Sequence, residues 1–123
     1  MARVDSLMQV VRHDGTMLAG RPWSEWVERY GRSHTHPLNR ALHLVGIPLI
    51  LLALPLACGA VLQPRLAGVA LLLFLVGWAL QFAGHAVEGK PPEFLQDPRF
   101  LLVGLRWWWL KWQPGNDPQR PHP

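Results

Sequence analysis

The chain has 123 residues, of which half are hydrophobic and only 16% are charged, with a formal net charge of +4. An average soluble domain carries about 25% charged residues, whereas between Ala41 and Val87 the only side chain with a formal charge is that of Arg65. This composition argues against a soluble enzyme or a disordered chain and favours a small integral membrane protein. The basic residues form no run and alternate with acidic ones, which argues against a nucleic-acid-binding module.

The N-terminal part of the chain predicts a short amphipathic helix. Residues 1–21 are expected to form a partly flexible segment without the apolar core of a signal peptide. Residues 22–34 then begin with Pro22, which suits the first position of a helix. The apolar positions follow at i, i+3, i+4 and i+7: Trp23, Trp26, Val27 and Tyr30. We expect this stripe to lie on a membrane or to pack over membrane spans.

Two apolar runs without acidic or basic residues, at about 44–63 and 66–87, dominate the middle of the chain. Each has roughly the 20 residues that a helix needs to cross a bilayer, and a short turn joins them. They predict a transmembrane helical hairpin in an all-α fold. Gly77 and Gly84 share one face of the second span and would allow close contact between the helices. Cys58, the single cysteine, is expected to be buried and inert.

The C-terminal part predicts an interfacial helix at about 100–112. It is too short to span a bilayer, and four tryptophans are typical of an aromatic belt at a membrane interface: Trp107, Trp108, Trp109 and Trp112. Residues 22–112 are therefore interpreted as one membrane domain, followed by a disordered tail at 113–123.

Basic residues flank the predicted hairpin on both outer sides, whereas its turn contains only Arg65. The positive-inside rule then predicts that both termini face the cytoplasm. The corresponding membrane is the inner membrane in a bacterium or the endoplasmic reticulum in a eukaryote. Because two spans are few to enclose a binding site, we expect protomers to associate.

Histidines are concentrated at one end of the predicted hairpin. His34, His36 and His43 come just before the first span, and His85 comes at the end of the second, with Glu88 after it. In an up-down hairpin these two ends lie at the same membrane face, so these side chains can converge. Neutral imidazoles with a carboxylate suit iron(II), zinc or manganese, and non-haem iron oxygenases commonly use two histidines and one carboxylate.

Two polar residues with amide side chains support the same site. Asn39 lies one helical turn before His43, and Gln81 lies one turn before His85. Polar groups at membrane depth are costly and usually face the protein interior or a wet cavity. A structural interpretation remains open for each of them, since histidine, asparagine and glutamine also occur as ordinary residues at helix ends. Glu88 alone is also consistent with an exposed charge at a helix end, and Tyr30 with a core position.

Two sequence blocks resemble a known family. The first reads Y-x3-H-x2-P-x-N-R-x2-H-x2-G-x-P from Tyr30 to Pro48, and the second reads W-x2-Q-F-x-G-H-x2-E-x3-P from Trp78 to Pro92. Together they are similar to the family known as domain of unknown function 962, whose fungal member is a 2-hydroxy fatty acid dioxygenase of the endoplasmic reticulum. The resemblance covers roughly residues 23–110. The chain departs from the family in being shorter than the fungal enzyme and in reading K-P-P-E after Gly89.

The resemblance implies an Fe2+-dependent dioxygenase that uses molecular oxygen to shorten a 2-hydroxy fatty acid by one carbon. It implies three iron ligands: His34, His43 and His85. Glu88 is expected to act catalytically as a further ligand or as a partner of a ligand, and His36 is a lesser candidate.

Four further residues are expected to contact the substrate or the ligands: Tyr30, Asn39, Arg40 and Gln81. Arg40 could attract the substrate carboxylate or, equally, a lipid phosphate. Two alternatives from other classes remain open, a zinc-dependent membrane lipid hydrolase on the same histidines and a non-enzymatic hairpin that scaffolds other membrane proteins.

Overall fold

The computed structural model describes residues 17–113 and 115–119, which are mainly α-helical. Two-residue strands, β1 (Met17–Leu18) and β2 (Arg21–Pro22), pair antiparallel ahead of the helices. The described residues contain four α-helices and one 3-10 turn: α1 (Trp23–Arg32), α2 (Pro37–Gly59), α3 (Leu66–Glu88), the turn Glu93–Leu95 and α4 (Phe100–Lys111). This confirms the predicted all-α class. The chain divides into two compact units, Ser33–Pro98 and the described residues on either side of it.

The unit Ser33–Pro98 is built on an antiparallel hairpin of α2 and α3. The helices approach most closely at glycines: a Cβ atom placed on Gly46 would lie 2.9 Å from the carbonyl oxygen of Gly77, and one on Gly77 would lie 2.6 Å from Ile50 Cγ1. Neither position can hold a larger residue without separating the helices. The predicted close contact at Gly77 is therefore confirmed, and it sets the spacing of the side chains at the ends of the hairpin.

The start of α2 differs from the predicted span. The helix comprises Pro37–Gly59. It begins at Pro37 because the His36 side chain caps it by accepting a hydrogen bond from the Leu38 backbone N–H at 3.1 Å. Proline at the first position leaves no donor unsatisfied there. His43 consequently lies inside α2, not before it. The second helix agrees closely with the predicted run at 66–87.

The outer faces of the hairpin are apolar and exposed, including Leu52, Leu72 and Leu75. Both helices are long and apolar enough to cross a membrane, by length and composition. The predicted burial of Cys58 is wrong: it is exposed, one residue before the end of α2.

The second unit packs α1 against α4 through aromatic rings. Trp26 meets Phe100 edge-on with ring centroids 5.3 Å apart, and Tyr30 meets Trp107 at 5.5 Å. The predicted apolar stripe of α1 is thus a packing face, although α1 begins at Trp23 and not at Pro22. Trp107 is fully buried, so it is not part of an exposed belt as predicted, whereas Trp109 and Trp112 are exposed.

Part of the predicted disordered tail contacts this unit. Trp107 Nε1 donates to Gln119 Oε1 at 3.1 Å, and Gln119 Nε2 donates to the Gly31 carbonyl at 3.0 Å. Lys111 also pairs with Asp117 at 2.8 Å. Residues 1–16 of the predicted flexible segment and residues 120–123 of the tail lie outside the described residues.

Candidate metal centre

Three histidines meet at one end of the hairpin. His34 comes from the α1–α2 loop, His43 from the second turn of α2 and His85 from the last turn of α3. Their ring centroids lie 4.3, 4.9 and 5.1 Å apart, each pair edge-to-face. One nitrogen from each ring lies within 4.8 Å of the others, and the three residues are buried. Residues about fifty positions apart in sequence thus form one group that could hold a metal ion.

Neighbouring groups orient each imidazole. The His43 Nδ1 atom lies 3.0 Å from the Asn39 carbonyl oxygen, so the neutral ring that donates there carries its lone pair on Nε2, the atom through which it would bind an ion. The Ser33 hydroxyl lies 3.1 Å from His34 Nδ1, and the Lys90 backbone is hydrogen-bonded to the His85 ring. Hydrogen bonds of this kind fix the tautomer and orientation of histidine ligands in metal sites.

The surroundings of the His85 ring fit a bound metal ion. Its Nδ1 atom is buried and has no hydrogen-bond partner among the described residues, although buried polar atoms in native proteins are nearly always paired. An ion between the three rings would satisfy it. The donor set of three neutral imidazoles suits iron(II) or zinc.

Glu88 follows His85 by one helical turn, and its carboxylate binds residues around the start of α2. Its Oε2 atom accepts a hydrogen bond from Thr35 Oγ1 at 3.0 Å, and its Oε1 atom accepts from the His36 backbone N–H and from Asn39 Nδ2, the latter at 3.3 Å. The group of possible ligands contains the three histidines without this carboxylate. The His36 side chain is likewise outside the group, because it caps α2 in an exposed position.

Asn39 and Gln81 are both buried beside the three histidines. Asn39 Nδ2 donates to the Ser33 carbonyl at 3.2 Å as well as to Glu88, which fixes the orientation of its amide. Gln81 lies one helical turn from His85 and against Gly46 of α2. Its Oε1 atom is buried without a hydrogen-bond partner in the part of the chain that the structure describes.

The other two predicted residues have different surroundings. Arg40 is half-buried near the start of α2 and makes no ion pair with any described residue. Tyr30 packs against Trp107 and Gly104 in the unit formed by α1 and α4. Its place there agrees with the core interpretation.

Sequence reasoning missed two residues of the site, Ser33 and Thr35, and predicted a close helix contact at Gly84 without naming Asn39 as the residue that makes it. A Cβ atom on Gly84 would overlap the Asn39 amide oxygen and would lie 3.1 Å from His43 Nδ1. Ser33 and Thr35 had no periodic or motif signal, because they lie in the short loop between two helices. For Gly84 the signal was the helix face that it shares with Gly77.

The fold and the site together define a class of protein: a helical hairpin of membrane length with a buried three-histidine group that could hold a metal ion. Residues 21–116 match the family described as 2-hydroxy-palmitic acid dioxygenase Mpo1-like. The chain belongs to this family, which confirms the resemblance drawn from the two sequence blocks. No curated protein and no solved structure gave a match.

Proposed function

We propose that this protein is an iron(II)-dependent dioxygenase that converts a 2-hydroxy fatty acid into the acid one carbon shorter at a membrane interface. The observation that carries the proposal is the buried group of His34, His43 and His85 in a chain of the dioxygenase family. These three residues are the proposed ligands. Bound iron would supply the reaction with molecular oxygen, for which no protein side chain is suited.

The charges of the site favour an anionic substrate. Three neutral imidazoles leave the charge of a divalent ion uncompensated, because the Glu88 carboxylate is bound to Thr35, His36 and Asn39. A 2-hydroxy carboxylate brings both the missing negative charge and two oxygen donors. Arg40, three residues before His43, adds a further positive charge at the same end of α2.

Gln81 supports recognition of the hydroxyl group. Its buried amide oxygen is without a partner among the described residues and lies one turn deeper in the hairpin than His85. A substrate hydroxyl could donate to it, which an unsubstituted fatty acid cannot do. The acyl chain would continue along the apolar hairpin, where each buried methylene contributes about 0.8 kcal/mol.

The proposed reaction needs no reductant besides the substrate. Cleavage of the C1–C2 bond to give the shorter acid, carbon dioxide and water releases four electrons, and one molecule of oxygen accepts all four. The uptake of oxygen should therefore equal the amount of shortened acid formed. We propose that this takes place at the cytoplasmic face of the membrane that the hairpin spans.

The test uses the protein purified in detergent, with metal analysis, oxygen uptake and mass spectrometry of the product from 2-hydroxypalmitate. We expect iron in the wild type and loss of both iron and activity in His43→Ala and His85→Ala. The loss should exceed the roughly 10–100-fold that follows from changing an outer partner of a ligand. His36→Asn is the matched control, because it removes an exposed imidazole from the same loop while retaining a helix cap.

Three outcomes would contradict the proposal. Zinc with oxygen-independent lipid hydrolysis would favour a hydrolase on the same histidines. A protein without metal that tolerates alanine at all three positions would favour the scaffold. Equal losses in His36→Asn and His43→Ala would show that the buried group is not the site.

A further inference from the structure

We propose that Glu88 is a positioning residue, which holds the loop before α2 against the end of α3 and so keeps His34 and His43 in the three-histidine group. This assignment extends the proposed function and rests on it for the identity of the metal. It differs from the expectation that Glu88 is a ligand. The carboxylate instead acts on the protein, through the residues that it binds.

The contacts of Glu88 join segments that are distant in sequence. Its two oxygens receive three hydrogen bonds, from the Thr35 hydroxyl, the His36 backbone N–H and the Asn39 side chain. All three donors lie within five residues: Thr35 and His36 come directly before α2, and Asn39 is in its first turn. Hydrogen bonds to a charged acceptor are about twice as strong as those between neutral groups, so one side chain fixes this whole segment.

Helix electrostatics explain why an acid is favourable here. Glu88 is the last residue of α3, where a negative charge is unfavourable for its own helix. Its carboxylate, however, lies at the N-terminus of α2, where backbone N–H groups without intrahelical partners favour an anion. The hairpin therefore places one charge where the start of the partner helix compensates for it.

Asn39 transmits this constraint to the histidines. Its Nδ2 atom bridges Glu88 and the Ser33 carbonyl, directly before His34. Its own carbonyl oxygen lies 3.0 Å from His43 Nδ1. A shift of Asn39 would therefore move the backbone that carries His34 and would alter the bond that orients His43.

The first measurement requires no metal. In metal-free protein in detergent, carbethoxylation of His34 by diethyl pyrocarbonate is followed by peptide mass spectrometry. His34 is completely buried, so wild-type labelling should be slow. We expect labelling to rise by about 10-fold or more in Glu88→Gln and Glu88→Ala as the loop opens locally, and to rise less in Thr35→Val, which removes one of the three donors.

The second measurement is cobalt(II) binding, followed by visible absorption. We expect Glu88→Gln to weaken the affinity by roughly 10–100-fold and to have the wild-type spectrum at saturation, since the same three imidazoles bind the ion. The matched control is Glu28→Gln, which removes an exposed carboxylate paired with Arg32 at 3.1 Å in α1. It should leave both His34 labelling and cobalt affinity unchanged.

The outcomes separate this inference from the proposed function. An altered cobalt spectrum in saturated Glu88→Gln would make Glu88 a ligand and overturn the positioning role. Unchanged His34 labelling in Glu88→Gln and Thr35→Val would overturn it as well, even if Glu88→Ala fails to fold. If the wild type binds no metal but the variants expose His34, the dioxygenase proposal fails and the positioning role stands.

Discussion

The Asn39 side chain contacts three parts of the site that lie apart in the sequence: the loop before α2, the end of α3 and Gly84. Its amide nitrogen reaches the loop and the end of α3, and its amide oxygen lies against the backbone of Gly84. This oxygen has no hydrogen-bond donor among the described residues, and a side chain at position 84 would overlap it. The absence of a side chain at position 84 is therefore as important to the site as its polar groups.

We expect Gly84→Ala to weaken metal binding and to destabilise the hairpin. The added methyl group would overlap the Asn39 amide oxygen and would crowd His43 Nδ1, and such overpacking costs about 1–3 kcal/mol. The matched control in the same helix is Gly68→Ala, since a Cβ atom there meets nothing within 4 Å. Cobalt titration and thermal unfolding in detergent should show a loss for Gly84→Ala only. Equal behaviour of the two variants would mean that the close approach has no energetic weight.

The sequence could locate the three histidines but not the role of their neighbours. Helical spacing and the hairpin topology place His34, His43 and His85 at one end, and the structure has all three there. Glu88 shares the face of His85, which is equally compatible with a ligand and with a residue that binds the loop. The choice depends on the conformation of residues 33–36, where no periodic pattern constrains the backbone.

At the scale of helices, the apolar patterns predicted the existence of each helix correctly. They were less accurate for the residue at which a helix begins and for the face that it buries. The uncharged run at 44–63 marks a stretch of hydrocarbon length, whereas α2 begins at its cap, several residues earlier. In α4, each residue is rotated by about 100° from the one before it. Trp107 and Trp109 are two residues apart and point in nearly opposite directions, so they cannot both face α1. Identical residue types give no signal to decide between them, and only the packing against Tyr30 does so.

We expect Trp107→Ala to destabilise the packing of α1 on α4 far more than Trp109→Ala. Trp107 is 0% exposed and contacts Tyr30, whereas Trp109 is 56% exposed on the same helix. Removing a buried aromatic side chain costs about 3–5 kcal/mol, while the exposed position leaves no cavity. Amide hydrogen exchange of α1 in detergent measures the free energy of local opening. If exchange in α1 is equally fast in both variants, the two tryptophans do not differ as the structure indicates.

The whole molecule combines a long apolar hairpin with polar chemistry at one of its ends. The three histidines lie where α2 begins and α3 ends, and at the other end the connecting loop exposes Val61 and Leu62 by 85% and 87%. A water-soluble protein rarely exposes such a continuous apolar surface. A bilayer around the hairpin would cover it and would place the histidines near one face of the membrane, where a fatty acid headgroup lies.

This arrangement predicts opposite accessibility of the two ends of the hairpin. In a Cys58→Ser background, which removes the single cysteine, we expect a membrane-impermeant maleimide added to intact cells to label Leu62→Cys but not Lys90→Cys. The reason is that basic residues at the outer flanks favour the cytoplasmic side and leave the loop on the other. Permeabilised cells should label both, and Cys58→Ser alone should remain unlabelled. The reverse pattern would place the histidines on the outer side, and labelling of both residues in intact cells would show that the hairpin does not span the membrane.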